Sequence, residues 1–127
     1  LANELDADNI VFLGKVSQEK VLSCINECDY TVLCLINNKL INLTIPAKFQ
    51  TYLAAGKPIL AINNGEVASY INELKIGIST SYEIESIVNG ILKIQKLNSN
   101  VVKKTMESLL IEKFNKEKII DQMIRIL

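Results

Sequence analysis

The sequence predicts an α/β fold: one Rossmann-like open parallel sheet with helices on both faces and a helical C-terminal end. Three observations lead there. Short apolar runs alternate four times with segments of helical periodicity, as βαβ units require. The run from Tyr30 to Ile36 is apolar at nearly every position, the pattern of a strand covered on both faces. From Glu83 onward the pattern stays helical almost to the end.

Each element has its own signal. Asn9-Ile-Val-Phe-Leu13, ended by Gly14, reads as a first buried strand. Ser17 is placed to cap a helix with Glu19 in its first turn, where the helix dipole favours negative charge. That helix carries Val21, Leu22, Ile25 and Cys28 on one face. Tyr30 to Ile36 is the second strand, and Asn37 to Thr44 a polar loop. Pro46 stands where proline is best tolerated, in the first turn of a helix that runs through Ala55 and stops at Gly56. Pro58 to Ile62 is the third strand and Asn63-Asn64-Gly65 a turn. Glu66 opens a helix with Val67, Tyr70, Ile71 and Leu74 at the spacing of one face. Ile76 to Ser79 is the fourth strand. Three apolar stripes follow: Ile84, Ile87, Val88 and Ile91; then Val102, Met106 and Leu109; then Ile120, Met123, Ile124 and Leu127, with breaks near Asn98 to Asn100 and at Asn115. Phe49 and Tyr52 are assigned to the core. The last stripe, with Ile119, reads as a core-facing helix or as an interface.

Composition bounds the function. The chain has 127 residues, the length of one domain, and its 49% hydrophobic content excludes a disordered tail. Fourteen basic residues balance fourteen acidic ones, and no run of like charge exceeds two, so nothing is built for non-specific nucleic-acid binding. No apolar stretch approaches the length of a membrane span. With no histidine, the chain cannot supply a Ser-His or Cys-His pair, a His-ligated metal or an imidazole acid or base. Cys24 and Cys28, four apart on a predicted helix, read as small buried apolar residues, and Cys34 leaves the count odd. Reduced thiols without a leader peptide predict a cytoplasmic setting. The start at Leu1 rather than Met marks an expected fragment of a longer protein. Thirteen Lys against the single Arg125, with many Ile and Asn, fit an AT-rich bacterial genome.

In open α/β sheets, ligands bind at the carboxyl ends of strands, where the strand order switches. Three loops leave such ends: Gly14 to Val16, Asn37 to Ile45, and Asn63 to Gly65. The middle one is long and leads into Thr44-Ile45-Pro46-Ala47-Lys48, a helix start whose free N–H groups and dipole favour an anion, with Lys48 adding a point charge. The plain alternative is a proline-started helix beside a loop. Neither a dinucleotide G-x-G-x-x-G nor a P-loop is present, and the acidic residues are scattered singly, without a catalytic carboxylate pair. Glu66 reads as a dipole-stabilising residue. No metal or cofactor is predicted.

The stretch Ile45-Pro-Ala-Lys-Phe-Gln-Thr-Tyr-Leu-Ala-Ala-Gly-Lys-Pro-Ile-Leu-Ala61 resembles the proline-serine-lysine helix and following strand of bacterial GT-B glycosyltransferases of the family-four type, which build capsules and lipopolysaccharide. The flanks agree in order: Asn9 to Gly14, Cys28 to Leu33, Gly65-Glu66 and Ile76-Gly77 resemble successive pieces of that family, so the likeness spans nearly the whole chain. It implies the donor-binding C-terminal domain of a retaining enzyme. Such an enzyme transfers a sugar from a nucleotide-sugar, by default a UDP-sugar, to a glycan or lipid-linked acceptor at the inner face of the membrane. It further implies that Gly14, Lys15 and Val16 meet the base, and that Thr44, Ile45, Pro46, Ala47 and Lys48 meet the diphosphate or sugar.

Two departures from the family stand out. Its two customary glutamates fall here on Leu43 and Thr51, of which Thr51 is left to hydrogen-bond the ribose. The family's basic pair and its acceptor-binding N-terminal domain would lie upstream of Leu1, so the chain alone is expected to bind donor without turnover. The alternatives are a degenerate, non-catalytic interaction module and one half of a GT-B sugar-nucleotide epimerase. The missing histidine disfavours the epimerase.

Overall fold

A central parallel ladder organises the computed structural model, which describes residue 4 and residues 7–126. Strands β1 (Thr31–Cys34), β2 (Ile59–Ile62) and β3 (Gly77–Thr80) form an open sheet in the order β1-β2-β3, all parallel. Thr31, Ile59 and Gly77 stand side by side in the register. The ladder begins with Thr31 N–H donating to Pro58 O at 2.9 Å and Ile59 N–H to Ile76 O at 3.2 Å. Gly77 is required by this approach, because a Cβ there would lie 1.9 Å from the Ile59 carbonyl oxygen.

Helices cover both faces. On one, α3 (Ala47–Ala55), α4 (Glu66–Glu73) and α6 (Ser99–Lys113) enclose the main core. Leu33, Ile59 and Ala61 from the sheet meet Phe49 and Leu53 of α3, Val67 and Ile71 of α4, and Val102, Met106 and Leu109 of α6. Phe49, fully buried, also meets Phe114 edge-on, with ring centroids 6.5 Å apart. On the other face α5 (Ile84–Ile94) approaches through Gly90, whose missing side chain leaves room for Thr80, Leu60 and Ile78. The α/β class is therefore as predicted: an open parallel sheet between helices.

Local signals place the helix ends where expected. Ser17 caps α1 (Gln18–Glu27) by accepting from Lys20 N–H, and Asn98 caps α6 by accepting from Asn100 and Val101 N–H. Gly56, at φ +66°, ends α3 in the left-handed conformation that favours glycine. Glu66 sits in the first turn of α4. Asn115 marks the break before α7 (Lys116–Ile126), its side chain accepting from Glu117 N–H.

Several expectations fail. Residues 10–13 form no strand: the segment pairs with none of the three strands, and Ile10, Val11, Phe12 and Leu13 are all exposed. The sheet accordingly has three strands where four were expected. The run from Tyr30 to Ile36 shrinks to β1, an edge strand with Val32 and Cys34 exposed. Since α5 packs over β2 and β3, it leaves this end of the second face open. All three cysteines are free as predicted, yet none is buried. The polar loop contains a helical turn, α2 (Lys39–Asn42), capped by Asn38. On α5 the buried positions are Gly90 and Ile94, while Ile84 and Val88 of the expected stripe face solvent. In α7, Ile120 and Ile124 are exposed, and the side chains of Ile119, Met123 and Leu127 lie outside the described residues.

Met106 and Gly77 test this core. Met106→Ala should cost about 2–5 kcal/mol in urea unfolding, the usual range for truncating a buried methionine. Gly77→Ala should cost more, since its Cβ meets backbone of the central ladder rather than a flexible side chain.

Candidate functional site

The expected anion-binding segment, Thr44 to Lys48, leads into an uncapped helix end. Pro46 is the N-cap of α3 and makes no side-chain capping bond. Phe49 N–H donates to Pro46 O at 2.9 Å, so the N–H groups of Ala47 and Lys48, one residue and two residues into the helix, are the orphan donors that every helix start carries. Both residues are exposed, and Lys48 stands in the first turn, at the positive end of the helix dipole. The preceding Thr44 is already engaged: its N–H and hydroxyl both donate to Ile41 O, at 3.0 and 2.8 Å.

Beside this helix end lies a cleft of about 560 Å³ between α1, α3 and the segment that precedes α1. Leu13 and Val16 form one wall. Val21, Leu22, Cys24 and Ile25 of α1 form the second, and Lys48, Thr51 and Tyr52 of α3 the third, with Gln18 at the start of α1. The walls are mostly apolar, and Lys48 is the one charged residue among them. Such a hollow suits a flat, weakly polar ring, with an anion held at its Lys48 end. Among the described residues no cluster of three Cys, Asp or Glu is arranged to hold a metal ion.

The structure gathers some of the predicted residues and not others. Val16, Lys48 and Thr51 share the cleft. Gly14, at φ +66°, and the exposed Lys15 are not in its walls but lie in the chain between Leu13 and Val16, which are. Thr44, Ile45, Pro46 and Ala47 are not in its walls; they supply the backbone that leads to Lys48. The Thr51 hydroxyl donates to Ala47 O at 3.5 Å, a bond within its own helix. Nor does a switch in strand order mark the place, because the three strands run in sequential order. The hollow arises between two helices instead.

Tyr52 packs against the core as expected, but it is only partly buried and also lines the cleft. Its position four residues after Lys48 puts both on one face of α3, and Gln18, Val21, Leu22 and Ile25 are likewise spaced along one face of α1. That spacing is the signal that marks them. In a parallel ladder successive residues address opposite sides, so with Thr31 and Leu35 bonded to β2, the backbone of Val32 and Cys34 faces the open edge. Tyr52 Oη donates to Val32 O there, at 3.4 Å. Burial, and then the nearby Cys28 thiolate, push the Tyr52 phenol above its usual 10.0.

Comparison with protein-family models, with curated proteins and with solved structures finds no match to this chain.

The Tyr52 shift has a definite sign. A phenol whose folded pKa is raised contributes its stability in full below the unfolded value near 10.0, and that stability is lost as pH rises through the folded value. The absorbance difference between the parent chain and Tyr52→Phe should therefore titrate above pH 10.0 when folded and near it in denaturant. Loss of the bond to Val32 should cost about 1 kcal/mol or less at neutral pH.

Proposed function

We propose that the cleft binds a nucleotide-sugar and that the chain is the donor-binding half of a retaining glycosyltransferase. One observation carries this: a single hollow joins apolar walls at Val16 and Leu22 to Lys48, which stands in the uncapped first turn of α3. The base would lie against the apolar walls, and the diphosphate at the amides of Ala47 and Lys48. A leaving diphosphate is stabilised by fixed donors and a cation aimed at its developing charge, chemistry that needs no histidine. The family resemblance supports the same division, with the base at Gly14 to Val16 and the diphosphate at Thr44 to Lys48.

In this proposal the donor is a UDP-sugar and the acceptor a saccharide or lipid-linked saccharide of surface polysaccharide synthesis. The acceptor is held by a separate N-terminal domain, and the setting is cytoplasmic. Among the described residues no helix is long and apolar enough to cross a membrane. A second reading, a non-catalytic module of the same descent, is favoured by two observations: Leu43 is exposed to solvent, and the Thr51 hydroxyl is spent within its helix.

Titration with UDP, GDP and uridine, followed by amide NMR, separates the two. Donor binding should shift Gly14 to Val16 and Thr44 to Thr51, with one base preferred. Lys48→Ala should weaken diphosphate binding about tenfold, the loss of one charge-assisted contact. No shift at several millimolar of either diphosphate would sink the donor-site proposal and leave the non-catalytic module.

A further inference from the structure

We propose that Asn63 and Gly65 are positioning residues for the nucleotide site, fastening α2 and with it the chain that delivers Thr44 to Lys48. This role presupposes the nucleotide site proposed above. Asn63 follows β2 directly and is buried, at 1% exposure. Its N–H donates to Thr80 O at 3.2 Å, which ties it to β3. Its side-chain oxygen accepts from Gly65 N–H and closes the turn. Its side-chain nitrogen reaches out of the turn and donates to Asn42 Oδ1 at 3.3 Å, at the end of α2.

Gly65 makes the second half of the fastening. Its φ of −101° is open to any residue, so the turn itself does not require glycine. The requirement comes from α2: a Cβ at this position would lie 2.3 Å from the Asn42 carbonyl oxygen and 2.6 Å from its Cα. The backbone of the turn therefore rests directly on the backbone of α2.

From that junction the position of α2 passes along the chain. Asn42 N–H donates to Asn38 O at 2.8 Å, and its side-chain amide to Asn37 Oδ1 at 3.4 Å. Thr44 is bound twice to Ile41 O, so α2 and Thr44 form one bonded unit. Two residues later Pro46 starts α3. A buried amide that uses both its donor and its acceptor fixes direction as well as distance. A simple reversal between β2 and α4 would need neither that buried amide nor the backbone contact with α2.

Two variants test the junction. Gly65→Ala pushes the turn and α2 apart, and Asn42→Ala, on partly exposed α2 and outside the core, removes the acceptor for Asn63 together with the side-chain bond to Asn37. Each is examined by amide NMR without ligand, then titrated with UDP and with uridine. We expect the amides of Thr44, Ile45, Ala47 and Lys48 to shift while those of α5 keep their places. UDP affinity should fall about tenfold, as a displaced positioning element predicts, with uridine affinity changed less than about twofold. UDP affinity within about twofold of the parent chain in both variants overturns the positioning role alone. Parallel loss of UDP and uridine binding also overturns it, because that marks general loss of structure. A parent chain that binds no UDP overturns the nucleotide site and this role together.

Discussion

The close approach of three backbones at β2 is the constraint on which the rest of the structure depends. Ile59, Leu60 and Ala61 are almost wholly buried, so this strand has no face left for water. Its neighbours bond to it on both sides in an unbroken parallel register. That closeness forces a glycine at position 77. It also directs Ile59 and Ala61 toward α3, α4 and α6 while Leu60 faces α5 at Gly90. The turn that follows β2 then carries Asn63 to Asn42, so the central strand governs the loops at its carboxyl end as well.

Away from β2 the packing thins in one direction. Both outer strands are edges, but α4 and α5 pack on β3, whereas β1 leaves Val32 and Cys34 exposed. Ile10 to Leu13 and the α1 residues Val21 and Leu22 are exposed on the same N-terminal part of the chain. Tyr52 spans the two regimes: its ring lines the cleft and its hydroxyl occupies one carbonyl of the open edge. The cleft exists because α1 leans on α3 without a buried residue of its own, leaving space between two helices that touch only in part.

That incomplete packing has chemical consequences. A fully packed α1–α3 contact would bury Lys48 and the start of α3, at a cost that a charged group seldom recovers. The looser contact leaves an apolar hollow with one cation in its wall, Lys48 of the uncapped first turn of α3. Apolar area and fixed positive charge side by side suit a ligand with a flat ring and an anionic tail.

The sequence by itself determined what near neighbours control. Ser17, Asn98 and Gly56 set helix ends through bonds and torsions only a few residues long, and Met106 and Leu109 declared their face by spacing. The α/β class was legible because alternating strands and helices leave few ways to bury both. Of the site, Lys48 and the proline-started helix were legible, and the spacing of Tyr52 could have joined them. Only the tertiary structure decided the fate of Ile10 to Leu13, a run that pairs with none of the three strands although the edge of β1 stays open. It alone turned α5 onto Gly90, because the shape of Leu60, Ile78 and Thr80 admits nothing larger there. And it alone joined Asn63 to Asn42, residues whose side chains meet through packing that no local periodicity encodes.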